Sequence, residues 1–170
     1  MGVRRQAREA ALQAIYMSDF SDNWNVQDCK LVFENFQTPA SAINFASELY
    51  AGVSLNVKEI DADITAVSAN WSLPRMSSVD RNLLRLAAFE LKYNTETPVN
   101  VIINEAIEIA KDFGSNDSPQ FINGILDRVA LKVRPGSKKS ESAIEVIRET
   151  PVDDFAVPEE ENQQISIKRD

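Results

Sequence analysis

Apolar residues in the first 134 positions of this chain recur at spacings of three and four, and nowhere do they alternate with polar ones at period two. That periodicity admits helices with one buried face and argues against half-buried strands. Ala7, Ala10, Ala11 and Ala14 define such a face within residues 4–18, a stretch without Gly or Pro and rich in strong helix formers. Their small side chains predict close packing by a neighbouring helix. Residues 19–25 read as a loop, and the short stripe Cys29, Val32, Phe33 and Phe36 follows, with Cys29 as a small buried hydrophobe.

Beyond Thr38-Pro39 the stripe Ala42, Phe45, Ala46, Leu49 and Val53 leads into Val57, Ile60, Ile64, Val67 and Trp71. This predicts two helices with a bend at Gly52 and Asn56, closed by Leu73-Pro74. Ser77 with Asp80 resembles a capping box ahead of Leu83, Leu84, Ala87 and Leu91. Thr97-Pro98 and Ser118-Pro119 each put a capping hydroxyl before a proline whose missing N–H costs nothing at the first helical position. The first starts the stripe Val99, Ile102, Ile103, Ala106, Ile109, Ala110 and Phe113, with Gly114 as the residue that ends the helix. The second starts Ile122, Ile125, Leu126, Val129 and Val133, with Gly124 inside it. The expected fold is all-α, a compact bundle of about seven helices in two halves split near Pro74.

From Arg134-Pro135-Gly136 onward the composition turns to Ser, Lys, Glu, Asp, Asn and Gln. Two parts are therefore expected: a helical domain over residues 1–134, and an acidic, largely disordered tail over 135–170 in which Ser142–Glu149 has the length of two helical turns.

Chemistry is restricted by what the chain lacks. There is no histidine, which removes the usual catalytic triads, His-coordinated zinc and imidazole acid–base catalysis. The single cysteine allows neither an intrachain disulfide nor a CxxC pair. Five widely spaced glycines form no phosphate-cradling loop. Glu105, Glu108 and Asp112 share a polar helix face, but a carboxylate metal site of the bundle type pairs Glu with His, so a solvated face is the expectation. No enzyme, metal or cofactor is anticipated. No apolar run reaches the ~20 residues of a membrane span, and the basic opening has no signal-peptide pattern behind it, so the expected location is the cytoplasm.

A net charge of −8 weighs against nucleic acid as a partner, yet the first seventeen residues hold Arg4, Arg5 and Arg8 against Glu9 alone. On a helical wheel Arg5, Glu9, Leu12 and Tyr16 fall together, opposite the alanine stripe. Guanidinium groups bind phosphate and exposed rings stack on unpaired bases. The other reading is that Leu12 and Tyr16 pack on a neighbouring helix while the arginines solubilise the terminus. Phe121, about 100° from Ile122, is expected at the edge of the core as a stacking platform or a partly covered residue, and Phe113 within its own stripe is expected to be buried.

Four ordered blocks carry a resemblance. They are Arg4-Arg5-Gln6-Ala7-Arg8-Glu9 with Ala14-Ile15-Tyr16, then Asp80-Arg81-Asn82-Leu83-Leu84-Arg85-Leu86-Ala87, then Ile103-Asn104-Glu105-Ala106-Ile107-Glu108-Ile109-Ala110-Lys111, and Phe121-Ile122-Asn123-Gly124-Ile125-Leu126-Asp127. Together they resemble the NusB family of bacterial transcription antitermination factors. The resemblance implies two small helical subdomains and a non-enzymatic role. It also implies binding of boxA-type single-stranded RNA together with NusE, a small-subunit ribosomal protein, and assembly with other Nus factors on RNA polymerase at ribosomal RNA operons. It implies RNA contacts at Arg4, Arg5, Arg8, Tyr16, Phe113 and Phe121, a NusE-facing acid at Asp80, and an RNA-affinity-tempering carboxylate at Asp117. Gln6 stands where many relatives have another arginine, and the acidic tail is additional. The alternatives are a protein-binding adaptor without an RNA role, and the NusB-like module of an RNA methyltransferase, for which no glycine-loop βαβ unit follows residue 134. A monomer or weak homodimer is anticipated.

Overall fold

A computed structural model describes residues 2–136, and among these it contains six α-helices, one 3-10 turn and no strand. The tail beyond 136, with Ser142–Glu149, lies outside the described residues. The helices are α1 (Val3–Ser21), α2 (Val26–Asn35), α3 (Ala40–Val67), α4 (Ser78–Tyr93), α5 (Val99–Phe113) and α6 (Ser118–Val133), with the 3-10 turn at Leu73–Arg75 between α3 and α4. The all-α expectation holds, with six helices instead of about seven.

The helix count differs because the apolar stripe from Ala42 to Val67 belongs to one continuous 28-residue helix. Gly52 does not interrupt it. A side chain there would collide with the Phe89 ring of α4, so the glycine's role is to admit that ring against the backbone of α3. The other glycine placed by pattern, Gly114, is extended (φ −94°) and not left-handed. Space is again the reason: a Cβ on it would stand 2.5 Å from Ser118 Oγ.

Helix starts differ from expectation in detail. The loop predicted over 19–25 shrinks to Asp22–Asn25, because α1 continues to Ser21 before Asp22 turns left-handed (φ 52°). Asn25 caps α2 by accepting the Gln27 N–H at 3.0 Å, and Ser77 caps α4 by accepting the Asp80 N–H at 3.2 Å. Thr97 does not cap α5. The Pro98 carbonyl takes the Val101 and Ile102 N–H groups, while the Thr97 carbonyl accepts from Arg134 at 2.7 Å. Ser118 is the first residue of α6, and its Oγ accepts the Ser115 N–H at 2.9 Å.

One continuous apolar core joins the two halves. Ala7, Ala10, Ala11 and Ala14 are all buried, and α1 packs against α3 and α4 over that small-residue face. Helix α4 is central, packed also on α5 and α6. Leu83, Leu84, Leu86 and Leu91 are fully buried, each contributing about 1.5–3 kcal/mol of transfer free energy. Cys29 is buried as expected.

Ionic clamps fix the helices to each other. Asp19 of α1 accepts from Arg81 Nη2 at 2.8 Å and Asn82 Nδ2 at 3.0 Å, and pairs with Arg85 Nη1 at 2.9 Å. Arg85 in turn grips Asp61 of α3 through Nε and Nη2 at 2.8 and 2.9 Å. Burial alone would raise the Asp19 carboxyl, but the two guanidinium groups and Asn82 hold it below the ordinary carboxylate value. Arg134 closes the other end of α4 by donating to the carbonyls of Glu90, Leu91, Asn94 and Thr97. No described helix is long and apolar enough to cross a membrane.

Candidate nucleic-acid interface

The basic opening of α1 divides into three different environments. Arg8, read above as a phosphate contact, is sealed in the bundle at 4% exposure. Its Nε and Nη2 donate to both carboxylate oxygens of Glu90 on α4, itself 1% exposed, at 2.7 and 2.8 Å. This corrects the sequence reading, and the signal was present: Arg8 stands three, four and seven residues before Ala11, Leu12 and Ile15, all buried. Arg4 is exposed, with its guanidinium carbon 4.2 Å from the Phe45 ring centroid. Arg5 lies between these extremes. Its Nε and Nη2 donate to Glu105 Oε2 and Oε1 on α5 at 2.8 and 3.0 Å, and both side chains remain partly exposed.

The Arg5–Glu105 pair brings the polar faces of α1 and α5 together. Glu9, one turn beyond Arg5, feels the charge of Asp112, two turns beyond Glu105. Burial first, and then Asp112, push the Glu9 carboxyl up, while Arg5 pulls it down. Hydrogen bonding to Arg5 holds Glu105 below its ordinary value, and the same bond raises the Arg5 guanidinium. Glu108 is likewise held low by Lys111, whose Nζ donates to it at 2.8 Å. The carboxylates face cations or each other, and among the described residues no group of acids, His and Cys is arranged to hold a metal ion.

The aromatic residues sort opposite to expectation. Phe113 continues the buried stripe of α5 in period, yet as the last residue of the helix it is 41% exposed, while Ala110 three residues before it is buried. Phe121, expected at the core edge, is only 7% exposed, so its ring faces are not offered to a base. Tyr16 is 37% exposed, while Leu12 of the same face is buried. Asp117 is exposed immediately before α6 and makes no side-chain cap.

Asp80 is the second clear correction. Read as a partner-facing acid, it is 2% exposed at the start of α4, with Oδ1 buried and lacking a hydrogen-bond partner among the described residues. Burial pushes its carboxyl up against the opposing hydroxyls of Ser118 and Ser77. It faces the α6 start, not solvent. An apolar surface that the pattern did not single out lies elsewhere. A groove of about 250 Å³ between α1 and α2 is lined by Ala14, Met17, Cys29, Leu31 and Val32 on its apolar side and by polar residues such as Ser21, Asp28 and Asn35, with Met17 and Leu31 exposed in it. Met17 and Leu31 fall off the core stripes of their helices, and this was the available signal.

The arrangement is a helical scaffold presenting a mixed cationic, acidic and aromatic face, and it is the fold of solved bacterial antitermination factors. Thermotoga maritima NusB superposes with a TM-score of 0.72 at 37% identity, over 81% of this chain and 96% of that one. A structure of antitermination factors NusB and NusE in complex with double-stranded RNA matches with a TM-score of 0.69 at 25% identity, over 78% of this chain and 98% of that one. The transcription antitermination protein NusB of Geotalea uraniireducens is 50% identical over 138 residues, covering 76% of this chain and 95% of that protein. The chain belongs to the NusB family, whose model matches residues 5–131.

Proposed function

We propose that this chain is a transcription antitermination factor that, with NusE, binds boxA-type single-stranded RNA and joins other Nus factors on RNA polymerase at ribosomal RNA operons. The observation that carries the RNA face is the Arg5–Glu105 pair, which sets the exposed start of α1 beside α5, the helix that ends at exposed Phe113. Arg4 and Arg5 supply the phosphate contacts, Tyr16 and Phe113 the stacking surfaces, and Asp117 the tempering charge. Arg8 and Phe121 support the face from beneath. NusE docks without direct use of Asp80, and the groove edge at Met17 and Leu31 is the surface we assign to protein contact. No catalytic role is assigned. The molecule works in the cytoplasm as a monomer or weak homodimer.

Much of the cationic charge of α1 is already engaged within the chain, so NusE must supply part of the RNA affinity. Titration of boxA-type and scrambled single-stranded RNA, with a duplex of the same sequence, against the chain alone and with NusE tests this. Preferential boxA binding that strengthens with NusE is expected. Equal affinity for boxA and scrambled RNA in both settings makes the chain a protein-binding adaptor. Equal boxA affinity with and without NusE removes the shared-site reading. We further assign the acidic residues 135–170 a screening role toward this face, and truncation after Arg134 is expected to raise RNA affinity.

A further inference from the structure

We infer that Glu105 acts as an internal phosphate mimic that competes with RNA for Arg5 and so sets the RNA affinity of this face, an inference that rests on the RNA reading above. The geometry is that of bidentate anion recognition. Two nearly parallel N–H···O bonds of 2.8 and 3.0 Å join one edge of the guanidinium to both oxygens of one carboxylate. A phosphate presents the same pair of oxygens to the same fork, so RNA that takes the Nε–Nη2 edge of Arg5 must displace Glu105 from it.

The pair is built to open. Arg5 and Glu105 are 29% and 23% exposed, against 4% and 1% for Arg8 and Glu90, so water can take over the Glu105 oxygens when RNA displaces them. Glu9 and Glu108 also stabilise the Arg5 cation, and their charges oppose that of Glu105, so the closed pair rests on the two direct hydrogen bonds. With Arg8 committed to Glu90, Arg5 is the arginine of α1 whose availability depends on a displaceable partner.

The test uses the full chain with NusE and boxA-type single-stranded RNA, titrated over a range of salt. Glu105→Gln preserves shape but withdraws the anionic competitor. It is expected to tighten binding by about threefold, the scale of one exposed ion pair. The magnitude of the log–log salt slope should rise by about 0.7, the increment for one phosphate contact on single-stranded RNA. Glu108→Gln removes the same charge from the same face without holding Arg5 and is expected to give a smaller gain with no change in slope. Arg5→Ala should weaken binding in the wild-type background by less than it does in the Glu105→Gln background, where it abolishes the gain. A Glu105→Gln variant that binds no tighter than wild type, or a gain that survives Arg5→Ala, overturns the inference while leaving the RNA reading intact. Failure of every variant, wild type included, to bind RNA overturns both. Thermal unfolding of each variant separates a lost fold from a lost contact.

Discussion

Arg8 and Glu90 stand 82 residues apart in sequence and form a doubly hydrogen-bonded ion pair, at 2.7 and 2.8 Å, inside the bundle. The pair joins the first turns of α1 to the last turn of α4 and places the Arg8 guanidinium carbon 5.4 Å from the Phe45 ring of α3. Arg8→Ala leaves a buried carboxylate without its counter-charge and is expected to cost about 3–5 kcal/mol. Urea unfolding measures it. The double replacement Arg8→Met with Glu90→Leu should recover much of that loss, since neither charge is then stranded. Loss of RNA binding in Arg8→Ala should track loss of fold.

Gly52→Ala is a separate test of packing. The added methyl meets the Phe89 ring, and overpacking of this kind costs about 1–3 kcal/mol. If Gly52 were a hinge, alanine would instead stiffen α3 and stabilise the protein. Pairing the substitution with Phe89→Leu should restore part of the thermal midpoint.

Asp80 makes a prediction in pH. Its carboxyl titrates near 3.8 when unfolded, and burial raises it in the folded state. Between those two values the folded form holds the extra proton, so this group's contribution to stability falls as pH rises through the window and stays lower above it. Asp80→Asn removes that loss. Relative to wild type, the variant is expected to gain stability at neutral pH, with the gain shrinking as pH is lowered toward 3.8. Comparing the two proteins at each pH cancels the contributions of Asp19, Asp63 and Glu105, whose carboxyls are held low and whose stabilisation is lost in acid. A variant less stable than wild type at every pH would show that the carboxylate is used in its charged form.

The three aromatics should separate cleanly. Tyr16→Ala and Phe113→Ala are expected to weaken RNA binding by about 1–3 kcal/mol for each stacked base, with the salt slope unchanged and the fold intact. Phe121→Ala opens a core cavity and is expected to cost about 3–5 kcal/mol of stability. RNA titration and denaturation on all three decide the matter. An RNA defect in Phe121→Ala without loss of stability would place that ring back among the contacts.

Charged residues of the motifs that carried the family resemblance turn out to bind other helices of the same bundle. Arg5 and Arg8 of the opening block reach Glu105 of the third block and Glu90 of α4, while Arg81, Asn82 and Arg85 of the second block converge on Asp19. Much of what looked like a set of ligand contacts is therefore the wiring that holds the helices in place. Spacing among apolar positions marks Arg8 as buried, but for Arg5 no local pattern distinguishes the two uses, because a guanidinium offers the same donors to a carboxylate on another helix as to phosphate.

The helical class, the alanine face of α1, the caps at Ser77 and the burial of Cys29 follow from residues close together in the chain, since spacing and capping act within a turn or two. The site did not follow in the same way. Whether Arg8 or Arg5 meets solvent depends on α4 covering one and α5 only partly covering the other. Phe113 is exposed as the last residue of its helix, and Phe121 is covered by surrounding structure that its own helical spacing does not reveal. Exposure of a side chain is a property of what packs over it, and those partners come from segments tens of residues away. Sequence thus determined which helices form and which faces are apolar, while tertiary packing alone decided which charges and rings remain free to meet a partner.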